Sequence, residues 1–409
     1  MTTALFDLGA NPGLSLGVML LIACVVAIGA RRLGFPYAVG LVATGLGLAF
    51  AGIASPVPLT RELVFDGLLP PLVFEGALHL RWPQFRREAP LVLAIAFGGT
   101  LLAAGAVAAG MHWAVGWGWP AAALFGALIA ATDPVSVLAL MKGHDRDPRL
   151  RFLMEAESLV NDGAAAVLFA LALAWSAGHV GGGGFWAGAG DSALALVWIA
   201  GGGVVCGLVV TGALLVLAGS SQDHLVETTL TALAAYGSFL IAERLQASGV
   251  LATLAAGMLV GNWGRGRWLS EHGALGMMRL WDFAAFVANS IVFLLIGSRV
   301  AVEGFAQGAR AAAIGIALVL AGRVIAVYPL AALFDRSALA LSGRAKATLI
   351  WGGLRGALAL ALALGVPANL PERDALVMVA FAVVAFSIFV QGLTVPWLLA
   401  AGPDEGPAV

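Results

Sequence analysis

The sequence predicts an all-α polytopic membrane protein with about 13 transmembrane helices. Of its 409 residues, 61% are hydrophobic and 11% are charged, whereas about a quarter of the residues of a soluble domain carry a charge. Apolar stretches of about 17 to 25 residues recur along the whole chain, and this length crosses a bilayer about 30 Å thick. The uneven distribution of Lys and Arg between alternate loops supports the same number of helices.

Each predicted span is an apolar stretch that ends at charged, glycine-containing or proline-containing segments. The span at 247–262 is the shortest of them and is rich in glycine. In chain order the spans are 12–30, 35–52, 60–79, 88–114, 119–141, 149–176, 191–219, 224–244, 247–262, 275–299, 306–334, 344–366 and 373–400.

The basic residues give these spans an orientation. Fifteen of the 22 Lys and Arg residues fall on one side of the predicted membrane and five on the other, while Arg323 and Arg355 remain inside spans. The positive-inside rule then places the N-terminus outside and the C-terminus in the cytoplasm, in an inner or plasma membrane. We expect no cleaved signal peptide, because no basic region precedes the first span. A net charge of −1 indicates no nucleic-acid partner.

The order of the spans predicts an inverted repeat. Six spans that start outside and six that start inside flank a connecting span at 191–219, and such opposite topology is common in transporters. The fifth and twelfth spans correspond, and both are interrupted, by ATDPVS at 131–136 and by WGGLRGA at 351–357. Proline and glycine weaken a helix at these points. Interrupted helices at matching positions predict an ion site near the middle of the membrane.

Seven ionisable residues within the predicted spans are candidates for an ion site or a buried ion pair. Each needs a partner or a function, because a charge inside the bilayer costs about 3 kcal/mol or more. Two arginines cannot neutralise five acids, so at least one acid must be protonated or must bind a cation. The seven are Glu75, Asp133, Glu155, Glu157, Asp162, Arg323 and Arg355.

The stretch ESLVNDGAA at 157–165 concentrates polar groups in the sixth span. Ser158 and Asp162 are four residues apart and share a helix face, while Glu157 and Asn161 form a second polar edge. The Ser158 and Asp162 oxygens suit a hard cation, which prefers oxygen ligands. The alternative is that Asp162 is only a salt-bridge partner between helices.

The other polar residues in the spans have two interpretations each. Thr132 and Asp133 precede Pro134, so Asp133 either faces an ion or caps a half-helix. Glu75 either approaches the ion path from the cytoplasm or extends its carboxylate to the membrane surface. Arg355 needs a carboxylate partner, with Glu157 preferred and Asp133 and Glu155 as alternatives. We expect Arg323 to be structural and to lie along an aromatic neighbour.

Five segments together resemble the monovalent cation/proton antiporters of the NhaP and eukaryotic sodium/proton exchanger type, the cation:proton antiporter-1 family. They occur in the family's order and spacing and cover nearly the whole membrane part of the chain. The resemblance implies an NhaA-like antiporter fold in which the two broken helices cross. The segments are FEGALHL at 74–80, ATDPVSVLAL at 131–140, ESLVNDGAA at 157–165, NSIVFLLIG at 289–297 and GGLRGALALALAL at 352–364.

The resemblance also implies roles for individual residues. Asp162 is the carboxylate that holds the cation and the proton in turn, and Asn161 precedes it in the family's Asn-Asp pair. Glu157 and Arg355 form a structural ion pair near the site. The further residues that help to coordinate the monovalent cation, directly or through water, are Ser158, Thr132 through its backbone, Asp133 and Glu75. Ser136 adds an oxygen where many relatives carry a small apolar residue.

The family implies a function as well. A related branch with an Asp-Asp pair and a lysine is electrogenic, so Asn161 and Arg355 imply electroneutral exchange of one Na⁺ or Li⁺ for one H⁺. The alternatives are a K⁺/H⁺ antiporter and a cation channel or efflux protein on the same fold. No ATP-binding G-x-x-x-x-G-K-[ST] loop occurs. We therefore expect a transporter that is not an enzyme and that has no cofactor besides the transported ions.

The resemblance finally divides the chain into parts that move and parts that do not. We expect interface helices at 12–80 and 224–299 that form a homodimer, and a mobile core at 88–176 and 306–400. The segment 191–219 connects them. The chain ends with a short cytoplasmic tail at 401–409, so regulation by a long tail, common among relatives, is not expected.

Overall fold

The computed structural model describes residues 12–53, 57–133, 137–138, 141, 147–177, 185–221, 223–300 and 305–400. Helices dominate these ranges, which confirms the predicted all-α membrane fold. Eight helices of the described chain are long and apolar enough to cross a membrane, and three shorter apolar helices accompany them. The figure of about 13 spans stays a prediction.

The helices of the first half follow the predicted spans. They are α1 Pro12–Leu33, α2 Tyr37–Phe50, α3 Leu69–His79, α4 Trp82–Leu93, α5 Thr100–Gly110, α6 Trp119–Ala130, α7 Pro148–Ser176 and α8 Phe185–Ala218. α7 begins where it does because the Asp147 side chain accepts a hydrogen bond from the Leu150 amide, 2.9 Å away, and Pro148 follows it. Both features favour a helix start.

In the second half of the chain, serine side chains cap the starts of two helices. Ser248 and Ser342 accept hydrogen bonds from amides three residues further on, at the starts of α10 and α13, and such caps satisfy amides that have no partner within the helix. The helices are α9 His224–Arg244, α10 Gly249–Leu259, α11 Glu271–Val300, α12 Phe305–Ala332, α13 Gly343–Trp351, α14 Ala357–Leu364, α15 Arg373–Phe386 and α16 Gly392–Ala400.

π-helical turns join several of these helices into longer ones. Ala94–Gly99 links α4 to α5, and Ser387–Gln391 links α15 to α16. Others precede α3 at Leu63–Leu68, follow α5 at Met111–Val115 and follow α10 at Val260–Gly264. Such turns are rare and occur often at functional sites.

The described helices pack in two groups. α2 and α3 lie against α11 and α10, whereas α5 lies against α6 and α12, and α6 against α7. A Cβ atom on Gly45 would lie 2.1 Å from the Leu294 carbonyl oxygen, so the α2 and α11 backbones touch through glycine. The division into interface helices and a mobile core stays a prediction, as does the homodimer.

Both predicted interruptions are present, and they touch. α6 ends at Ala130 and residues 131–133 are not helical, while residues 352–356 separate α13 from α14. The Asp133 amide donates a hydrogen bond to the Leu354 carbonyl, 2.7 Å away. The crossed broken helices are therefore built from these two segments. Pro134, Ser136 and the tail at 401–409 lie outside the described residues.

Candidate cation site

A cavity of about 110 Å³ lies beside the crossing of the two breaks. Its walls come from α3, α7, α11 and α14 and from the non-helical segment at 131–133. This volume is large enough for a cation together with several waters. Four carboxylates of the described chain line it, namely Glu75, Asp133, Glu155 and Asp162.

One face of α7 forms the polar wall of the cavity. Ser158 donates a hydrogen bond from Oγ to the Thr132 carbonyl oxygen, 2.5 Å away. That carbonyl is available because α6 has already ended at Ala130. Asp162 lies one turn further along the same face and is partly buried. The arrangement gathers a hydroxyl, a backbone carbonyl and a carboxylate within one small space.

Most of the predicted site residues meet at this cavity. Five of the six line it, namely Asp162, Ser158, Thr132, Asp133 and Glu75. Their oxygens are of the kind that a hard monovalent cation prefers. The predicted binding of a cation by these residues stays a prediction.

Asn161, the sixth predicted residue, lies behind the cavity rather than on its wall. Its Nδ2 donates to the Thr132 hydroxyl at 3.1 Å and to Glu157 Oε1 at 3.2 Å. Its Oδ1 accepts a hydrogen bond from the Thr100 hydroxyl on α5, 2.9 Å away. The buried amide therefore ties α5, α7 and the first break together. Thr100 was not anticipated, because a single threonine in an apolar helix gives no distinctive signal.

Glu157 pairs with Arg323, so the predicted pair between Glu157 and Arg355 is wrong. The two terminal nitrogens of Arg323 lie 2.8 and 2.9 Å from the two carboxylate oxygens of Glu157. Only 3% of Glu157 and 5% of Arg323 are exposed. Such a fork-to-fork pair is strong and directional. The prediction failed because the position of α12, which carries Arg323, depends on tertiary packing.

The guanidinium of Arg323 also binds the backbone, in keeping with the structural role expected for it. Its expected aromatic neighbour stays a prediction. Its Nε and one terminal nitrogen donate to the Leu349 carbonyl at 3.2 and 3.1 Å. A Cβ atom on Gly353 would lie 2.7 Å from Arg323 Nε, so this glycine makes room for the guanidinium.

Arg355 is stabilised by carbonyl groups of both breaks. One of its terminal nitrogens donates to the Ala131 and Gly353 carbonyls at 3.3 and 3.4 Å. Ala131 directly follows the C-terminus of α6, and the end of a helix carries a partial negative charge. The guanidinium of this buried residue, only 2% of which is exposed, thus offsets the half-helix end. The charges of Glu157 and Asp162 also lie close enough to attract this guanidinium, although its hydrogen bonds go to backbone carbonyls.

Gly356 allows the second break to lie directly against the Asp133 side chain. A Cβ atom at Gly356 would lie 2.3 Å from Asp133 Oδ2 and 2.5 Å from its Cβ. Any other residue would therefore displace the Asp133 side chain. The alternative that Asp133 caps a half-helix depends on residues 134–136, which lie outside the described residues.

The end of the cavity formed by α3 carries further polar residues. His79 Nδ1 lies 3.4 Å from Glu75 Oε1, and the Glu75 side chain is 29% exposed. Glu155 and Asn289 also line the cavity, although the sequence suggested only an ion-pair role for Glu155. The spacing of three residues between Glu155 and Ser158 places them on one helix face, and this signal was available in the sequence.

Comparison with known proteins decides the family. The model of the family described as "Sodium/hydrogen exchanger, transmembrane" matches residues 18–401. The chain belongs to this family. Its members are secondary transporters and not enzymes, so the predicted class is confirmed.

Relatives and a solved structure agree with this assignment. The Na⁺/H⁺ antiporter ApNhaP of Aphanothece halophytica is 37% identical over 360 residues, which cover 88% of this chain and 68% of that protein. The low-affinity Na⁺/H⁺ antiporter NhaS1 of Synechocystis is 35% identical over 373 residues, 89% of this chain and 69% of the relative. The structure of the sodium proton antiporter MjNhaP1 from Methanocaldococcus jannaschii has a TM-score of 0.74 and 18% identity, and covers 92% of this chain and 97% of that one. This last match confirms the antiporter fold.

Proposed function

We propose that this exchanger moves Na⁺, or Li⁺, in one direction and H⁺ in the other, with Asp162 holding the cation and the proton in turn. One observation carries the proposal. Asp162 shares a small cavity with the Ser158 hydroxyl and the Thr132 carbonyl, at the point where the two broken helices cross. The names of the relatives, which are Na⁺/H⁺ antiporters, support the same pair of ions.

The chemistry of exchange follows from competition at one carboxylate. The ionised Asp162 attracts a cation, whose remaining ligands are the neutral oxygens of Ser158 and Thr132. A proton on Asp162 removes the charge that holds the cation, so the two ions exclude each other. If the empty ionised site crosses the membrane unfavourably, only the loaded forms cross, and transport of one ion is coupled to transport of the other.

The neighbours of Asp162 support a stoichiometry of one to one. Asn161 is a neutral amide, and Glu157 is held in a bidentate pair by Arg323. Of the two acids in the stretch 157–165, Asp162 is thus the one left to exchange its proton, whereas Glu155 lies two turns away on the same cavity wall. Moving one net charge through the membrane potential costs about 2.3 kcal/mol per 100 mV, and a one-for-one exchange avoids this cost.

Alternating access completes the proposal. Glu75 and Glu155 lie toward the helix ends that the basic residues predict to be cytoplasmic, so an inward-facing state would open the cavity at this end. The first packing group, with the crossing of the broken helices, would move across the membrane relative to the second group. The first group is α5, α6, α7 and α12, and the second is α2, α3, α10 and α11. The second group would form the homodimer.

Proton movement in proteoliposomes tests the proposal. Addition of Na⁺ or Li⁺ to vesicles that contain the purified protein will move protons across the membrane, and Asp162→Asn will abolish this. Glu271→Gln changes an exposed acid at the start of α11, outside the cavity lining, and will retain exchange. Normal exchange by the Asp162→Asn protein would refute the assignment. Replacing Na⁺ by K⁺ in the same assay measures selectivity.

A further inference from the structure

The break between α13 and α14 is bridged by side chains from the next membrane segment. Residues 352–356 interrupt the helix, and an interruption leaves backbone groups without their helical partners. The facing element is the π-helical turn Ser387–Gln391 between α15 and α16. π-helical turns occur often at functional sites.

A chain of three hydrogen bonds, two buried and one partly buried, spans the gap. The Arg355 amide donates to Ser387 Oγ, 3.0 Å away, and Ser387 Oγ donates to Gln391 Oε1, 2.6 Å away. Gln391 Nε2 donates in turn to the carbonyl of Trp351, the last residue of α13, at 3.1 Å. Ser387 is 1% exposed and Gln391 is 4% exposed. The two side chains thus connect the backbone on either side of the break.

The bridged backbone is the part that touches the cavity segment. Leu354 lies within the gap, and its carbonyl accepts the Asp133 amide at 2.7 Å. Residue 132 precedes Asp133, and its carbonyl accepts the Ser158 hydroxyl at 2.5 Å. A change in the width or register of the gap therefore shifts two residues of the cavity wall, Asp133 and Thr132.

We propose that Ser387 and Gln391 are positioning residues that fix the broken helix and, through Leu354, the cation ligands Asp133 and Thr132. Buried polar groups persist where all members of a network are satisfied, and such networks specify one geometry. The two residues touch no ion themselves, and their effect on exchange rests on the proposed function. Their effect on cation binding does not require that exchange be one for one.

The chain supplies variants and a matched control. Ser387→Ala removes both hydrogen bonds of the hydroxyl, and Gln391→Leu removes those of the amide. Ser387→Thr keeps the hydroxyl and is expected to restore function. The control is Thr348→Val on α13, because Thr348 is 0% exposed and its hydroxyl has no partner within the described part of the chain.

Cation binding and transport are measured separately on purified full-length protein. Na⁺-dependent thermal stabilisation in detergent gives the concentration for half-maximal binding, since a ligand of the native state raises its stability. Proteoliposomes give the apparent KM for Na⁺ and the maximal rate. For Ser387→Ala and Gln391→Leu we expect the Na⁺ concentration for half-maximal binding and the apparent KM for Na⁺ each to rise about tenfold. This is the effect expected from the loss of one buried hydrogen bond. Ser387→Thr and Thr348→Val are expected to match the wild type.

The results separate this proposal from a purely structural role. A lower melting temperature with an unchanged Na⁺ concentration for half-maximal binding would overturn it. If Ser387→Ala does not fold, Ser387→Cys, whose thiol is a weak acceptor of similar size, serves in its place. If the wild-type protein binds Na⁺ but does not exchange it for protons, the proposed function fails, while the binding data still decide the roles of Ser387 and Gln391.

Discussion

Glu157 and Asp162 lie five residues apart on α7, yet their surroundings differ completely. Glu157 faces Arg323, and both of its carboxylate oxygens are occupied by the guanidinium. Asp162 faces a cavity with the Ser158 and Thr132 oxygens on its wall. The first acid is neutralised by a buried guanidinium, whereas the second has no ion-pair partner of this kind among the described contacts. One helix thus carries an acid in a buried ion pair and, under the proposed function, an acid that exchanges its ion.

The largest expected effect comes from breaking the structural pair. Arg323→Ala leaves Glu157 as an unpaired charge in a buried site, and such a loss costs about 3 to 5 kcal/mol. We expect a large fall in folded yield and melting temperature, measured by chromatography and thermal unfolding in detergent. Arg323→Lys keeps the charge but loses the bidentate geometry, so its loss should be smaller. A melting temperature unchanged by Arg323→Ala would show that the pair does not support the fold.

A smaller effect is expected on the cavity side. Gly356→Ala places a methyl group where Asp133 Oδ2 now lies, 2.3 Å from the new Cβ, so Asp133 must move. We expect the apparent KM for Na⁺ to rise about tenfold while most of the folded yield is kept. Gly343→Ala is the control, because no atom lies within 4 Å of a Cβ at Gly343, at the start of α13. Equal transport by the two variants would exclude a role for Asp133 in cation binding.

The sequence was sufficient for much of the fold. Hydropathy, the placement of Pro and Gly, and the bias of basic residues predicted the helical membrane fold and both interruptions. The spacing of Ser158 and Asp162 predicted their common face, because this spacing is a local property of a helix. Thr132 and Asp133 were identified because they precede Pro134 in an apolar span, and such an interruption is also visible in the local sequence.

The partners of the buried groups were less predictable. The ion pair between Glu157 and Arg323 depends on where α12 packs against α7. The sequence alone does not show this packing, because the two residues are far apart in the chain. Arg355 donates hydrogen bonds to backbone carbonyls, because the crossing brings Ala131 beside it, while the carboxylate of Glu157 is bound by Arg323. Ser387 and Gln391 gave no signal, since two polar residues in an apolar helix have many possible partners.

The central claim is that one acid, Asp162, exchanges one cation for one proton. Proteoliposome exchange at a fixed pH gradient, under membrane potentials set by a K⁺ ionophore, tests it most directly. The rate of Na⁺-driven proton movement is predicted to be the same at every imposed potential, because no net charge crosses the membrane. A rate that changes clearly with potential would contradict the one-for-one exchange and would require a second exchanging acid.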